Sequence, residues 1–110
     1  MKEGIVMLSD KEFDEAFAAT GARFFVTNYE YISDNISLVK TILIDALYPL
    51  GYDANRNGTS TRISSFKKLL SDNNGIKALK KVASSSKLDK DSITTAQRIL
   101  KERFEITIYK

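Results

Sequence analysis

Cations are the side chains in this chain whose crowding could do chemistry. Residues 56–110 carry thirteen Lys/Arg against five Asp/Glu, a charge of +8, whereas residues 1–55 carry four against nine, −5, and the whole chain is +3. A half with that excess is equipped to hold a polyanion, and an acidic protein face meets the same description as nucleic acid. Histidine and cysteine are both absent. Without histidine the chain lacks the commonest metal ligand and the side chain best suited to proton transfer near neutral pH. Without cysteine it lacks disulfides, thiolate nucleophiles and thiolate metal sites, which fits a reducing compartment. The remaining Ser, Thr, Lys and carboxylates show no spacing that assembles a nucleophile with a base, so a non-enzymatic protein with no cofactor and no metal is expected.

Three other clusters have cheaper explanations than chemistry. Asp10, Glu12, Asp14 and Glu15 crowd the first two turns of a helix that Ser9 and Glu12 open as a capping box, where the positive end of the helix dipole favours them. Phe24, Phe25, Tyr29 and Tyr31 could stack on bases, but Glu30 and Asp34 surround them, and core packing is the expected use. The loop Gly51–Ser60, with its Asn57-Gly58 turn dipeptide, leads into a helix yet lacks the full Gly-x4-Gly-Lys-Ser/Thr pattern. Capping by Thr59, Ser60 or Thr61 accounts for it.

These residues need a scaffold, and 110 residues supply one domain, acidic over 1–55 and basic and helical over 56–110. The predicted fold is mainly α: five or so short helices around a central buried helix at about 35–48, with short terminal strands at 4–8 and 105–109. Residues Asn35 to Leu50, NISLVKTILIDALYPL, are apolar around too much of a helical circumference for a single stripe, so burial on most sides is expected. Asp34 is the expected cap, and Pro49 with Gly51 the stop. Lys40 and Asp45 interrupt the run, which also falls short of the roughly 20 residues a bilayer requires, so no membrane span is expected. The N-terminus shows no export or transit pattern, and a cytoplasmic location is the default. Residues 22–32 suit helix or strand. Later helices are expected at 61–70, 75–85 and from Asp91 or Ser92 to Phe104. The second of these places Ile76, Leu79, Val82 and Ala83 on one face and Lys77, Lys80 and Lys81 on the other.

At the level of its helices the stretch Ile76 to Leu100, IKALKKVASSSKLDKDSITTAQRIL, resembles the helix-turn-helix DNA-binding family. Val82-Ala83 match the apolar and small residues that let two helices approach. Leu88 matches the apolar turn position, and Ile93 and Ala96 match inward positions of a recognition helix. The helix from Thr61 supplies the third member of the unit. Glu105 to Tyr109, EITIY, stands where winged-helix members begin their wing, so the likeness spans 61–109. Ser86 and Lys87 depart from the family, which usually has an apolar residue and a turn glycine there. The resemblance implies a transcriptional regulator or a mobile-element accessory protein, able to form a homodimer. In it Lys90, Ser92, Thr94, Thr95 and Arg98 face the major groove, Arg98 at a guanine edge, while Lys77, Lys80, Lys81 and Lys87 face phosphates.

The alternative is a protein-interaction module, such as an inhibitor or immunity-type protein, which needs no catalytic residue. Placement separates the two. DNA binding expects Lys77, Lys80, Lys81, Lys90 and Arg98 on one exposed face with Thr94 and Thr95 at its centre.

Overall fold

In the computed structural model, which describes residues 8–70 and 74–107, every regular element is helical. Helix α1, Asp10–Thr20, opens as its sequence dictates: the Glu12 amide donates to Ser9 Oγ at 3.1 Å and the Ser9 amide donates to Glu12 Oε1 at 3.0 Å. Gly21, at φ +86°, ends it in the left-handed half of backbone space that glycine enters without a Cβ penalty. The ambiguous stretch 22–32 resolves into two six-residue helices, α2 (Ala22–Thr27) and α3 (Tyr29–Asp34), joined at Asn28. The Asn28 side-chain amide donates to the Phe24 carbonyl at 3.2 Å, so the joint is satisfied although it is buried.

Helix α2 occupies the middle of the molecule. It carries Phe24, Phe25 and Val26, all buried, and packs on α1, α3, α6 and α7, the last two being Asn74–Ala83 and Lys90–Phe104. Phe25 lies 4.9 Å from Phe66 and 5.4 Å from Tyr29 between ring centroids, and Phe24 meets Tyr52 edge-on at 4.9 Å. Burying rings of that size contributes roughly 1.5–3 kcal/mol each. Phe66 belongs to α5, Arg56–Leu70, which runs past α1 on one side and α4, Lys40–Leu47, on another.

The expected central helix at 35–48 is therefore displaced. Residues 35–37 form a turn, Asp34 is the last residue of α3 rather than a cap, and α4 begins only at Lys40. Only Leu43 and Leu47 of α4 are buried. The aromatic residues of α2 and α3 with Phe66 fill the centre, and the aliphatic helix is left to cover α5 from outside. Its stop is as expected: a 3-10 turn, Tyr48–Leu50, with Pro49 inside it, ends at Gly51 at φ +88°.

The predicted loop is shorter than its composition suggests. Helix α5 starts at Arg56, so Asn57-Gly58 lies in a first helical turn, and the cap is Asn55, whose Oδ1 accepts from the Gly58 amide at 2.9 Å. Helix α6 starts at Asn74, one residue before the expected 75, and 71–73 lie outside the described residues. No strand occurs among the described residues: Leu8 and 105–107 are irregular, and the rest of both expected strands, 4–7 and 108–109, lies outside them. Glu105 takes a left-handed conformation at φ 57°, and its amide donates to the Lys101 carbonyl at 3.1 Å while the Ile106 amide reaches Leu100 at 3.0 Å. That closure turns Ile106 back onto the core instead of extending the chain. No helix among the described residues is long and apolar enough to cross a membrane.

Candidate interaction surfaces

The α6 and α7 helices pack closely because their contact is built from small residues. Val82, Ala83 and Ala96 are fully buried between them, and Gln97 Nε2 donates to the Ala83 carbonyl at 3.3 Å. Leu88 and Ile93 are half-buried, and the six residues 84–89 make the turn. Asp89 caps α7, accepting from the Ser92 amide at 3.0 Å and the Ser92 hydroxyl at 2.8 Å, and these bonds hold its carboxyl below the usual range.

The nine residues expected on a DNA-facing surface divide among several environments. Lys77, Lys80 and Lys81 line a shallow concavity of about 410 Å³ with Asp10, Phe13, Asp14 and Ser84, so the α6 lysines look across at the acidic start of α1. Lys77 Nζ sits 3.3 Å from Asp10 Oδ1 and 4.3 Å from the centroid of the Phe13 ring, and Lys81 lies 5.7 Å over Phe17. Thr94 and Arg98 line a second hollow with Gln97, Lys101 and Glu102. Ser92 and Thr95 border a third beside Arg23, Asp89 and Asp91, and Ser92 is only 4% exposed because it serves the cap. Lys80, Lys87 and Lys90 are exposed, with no carboxylate within ion-pair distance among the described residues.

Arg98, the expected guanine reader, is engaged from two sides. Its Nη2 donates to Glu30 Oε1 at 3.1 Å and its Nη1 to Glu102 Oε1 at 3.0 Å. Arg103 extends the network, reaching Glu30 Oε2 at 3.2 Å and both oxygens of Asp34 at 2.9 and 3.0 Å. Arg98, with Arg103 beside it, holds the Glu30 carboxyl below its usual range. Glu30 of α3 and Glu102 of α7 thus each take up one of the guanidinium donors that a base edge would need. Among the described residues no three carboxylates come together as a metal group.

Two features escape a reading along the sequence. Arg62 of α5 clamps the loop after Gly51: Nη2 donates to Asp53 Oδ1 at 2.7 Å, Nε to Asp53 Oδ2 at 3.2 Å and Nη1 to the Thr20 carbonyl at 2.7 Å, beneath the rings of Phe24 and Tyr52. The second feature is apolar. Ile36, Val39, Ile42 and Leu50 are 42, 63, 47 and 58% exposed and fall within fifteen consecutive residues, with only Tyr31 to join them among the large exposed apolar side chains of the described residues. The excess of apolar residues around the circumference of 35–50 was its signal in the sequence: such a helix is buried on most sides or awaits a partner on one. Comparison with known proteins gives no matching family model, no matching curated protein and no matching solved structure.

Proposed function

We propose that this protein is a non-catalytic protein-interaction module that docks through the outer face of α4 and the 3-10 turn after it. The observation that carries this reading is the exposure of Val39, Ile42 and Leu50, each at about half or more, within the twelve residues of α4 and its two flanks. Scattered exposed apolar residues are ordinary, but a contiguous group marks a contact surface. The α6–α7 side offers less to DNA, since Arg98 and Lys77 already face carboxylates within the chain. The test is affinity capture from the native host after nuclease treatment, with wild type against Ile42→Ser and Val39→Ser. A protein retained by wild type and released by both substitutions is the expected result. Retention that both substitutions leave unchanged refutes the assignment of this face.

A DNA-binding reading keeps one observation in its favour, the exposed Lys80, Lys87 and Lys90 around the α6–α7 turn, which have no ion-pair partner among the described residues. It expects duplex binding that weakens steeply with salt and falls for every sequence alike in a Lys80→Ala/Lys81→Ala double variant. Duplex binding of that kind, undiminished in Ile42→Ser, would displace the interaction reading.

A further inference from the structure

A hollow of about 530 Å³ lies where α3 and the turn after it meet the ends of α5 and α7. Most of its lining is apolar. Tyr29 and Phe104 contribute rings that meet at 71° with centroids 6.5 Å apart, and Leu70 and Ile36 add aliphatic wall, Ile36 being the most exposed of the four. Ser33 and Arg103 complete the lining with a hydroxyl and a guanidinium. Small-molecule sites have this make-up, an apolar and aromatic wall with a few polar groups enclosing roughly 300–1,000 Å³.

The polar members select the ligand's charge. Arg103 donates from Nε to Glu30 and from Nη2 to Asp34, whereas its Nη1 has no hydrogen-bond partner among the described residues and keeps its N–H donors. Its charge is already answered by those two carboxylates. An anion in the hollow would gain Arg103 but meet Asp34 and Glu30, and a cation would meet the guanidinium, so neither sign is favoured. Burial pushes the Tyr29 phenol up, against the pull of the Arg103 charge and of a hydrogen bond with Ser33, which places the three polar groups together. We propose that this hollow binds an uncharged, flat molecule that lies against Tyr29 and Phe104 and presents a carbonyl or amide oxygen to Arg103 and Ser33. Such a molecule takes up the spare donors without opposing a charge, and its face or edge suits the two rings. The site uses none of Val39, Ile42 and Leu50, so it goes beyond the docking face of α4 and stands or falls separately.

An amide-resolved NMR titration of the full chain tests this with three probes of one shape and different charge: benzamide, benzoate and benzamidine, the last a cation at neutral pH. Benzamide should move the amide signals of Ser33, Leu70 and Phe104 along a saturable curve with a Kd of roughly 1–10 mM, the range open to so small a ligand. Benzoate and benzamidine should each bind at least about threefold more weakly, since each meets one of the opposed charges. Ser33→Leu, which fills the hollow from a half-buried position, should remove the saturable response. Ser33→Ala adds no bulk and should bind benzamide roughly fivefold more weakly, the worth of one hydrogen bond. Val39→Ser and Ile42→Ser should bind it as wild type does. Shifts that stay linear with concentration, a charged probe binding as tightly as benzamide, or a saturable response that survives Ser33→Leu overturns the assignment. Should Ser33→Leu not fold, the comparison of the three probes on wild type decides alone.

Discussion

Ile42 and Leu43 are neighbours on one helix with opposite fates, and substituting each in turn tests the placement of α4 on the outside of the fold. Leu43 is fully buried against the core, whereas Ile42 is 47% exposed. Leu43→Ala removes a core side chain and leaves a cavity, which costs about 2–5 kcal/mol. Ile42→Ser gives up only the half of the side chain that touches protein, about 1 kcal/mol or less at the usual coefficient for apolar area. The pair should differ by ~1 kcal/mol or more, which for a domain of this size separates the melting temperatures by roughly 4 °C or more. Urea unfolding followed by far-ultraviolet circular dichroism, at a concentration low enough to exclude self-association, measures both values with an unchanged m-value as the control. Equal costs within about 0.5 kcal/mol would mean that α4 is enclosed on both sides, and the docking face would not exist.

Arg62→Ala should destabilise by about 2–3 kcal/mol, because Asp53 and the Thr20 carbonyl lose their shared donor in a pocket where the pair's side chains are only 22% and 12% exposed; Arg56→Ala, whose pair with Asp45 is half-exposed, should cost about 0.5 kcal/mol or less in the same denaturation assay. Gly21→Ala and Gly51→Ala both place a Cβ at positive φ, but at Gly21 it would also meet Arg62 Nη1 at 2.8 Å, whereas nothing lies within 4 Å at Gly51. The first should therefore lower the melting temperature more than the second, which should cost about 1 kcal/mol. Arg62 holds the Asp53 carboxyl below its usual range, and Arg98 does the same for Glu30. Depressed carboxyls contribute stability that is fully present above the unfolded carboxylate range, about pH 4, and is lost as pH falls through the lower folded values. Denaturation midpoints should thus decline below about pH 5, and Arg62→Ala should flatten that decline; an unchanged acid profile would show that Asp53 does not draw its stability from Arg62.

Local physics settled much of this protein before any tertiary contact was considered. The Ser9 and Glu12 box, the Pro49 and Gly51 stop, and the inward face of α6 depend on hydrogen bonds and periodicities within a few residues, so their spacing in the chain was enough. What lay beyond the sequence was competition. Residues 24–32 and 36–50 are both apolar enough to be a core, and only packing decided that the aromatic set, joined by Phe66 from α5, would take the centre and leave the aliphatic set outside. Charge met the same limit. Lys77, Arg98 and Arg103 are counted in the basic half, yet Asp10, Glu30 and Asp34, more than sixty positions away, lie against them in the fold. Periodicity assigns a side chain to a face of its own helix, but the identity of the opposing group depends on how distant helices pack, and it is that group which decides whether a cation or an apolar stripe remains available to a partner.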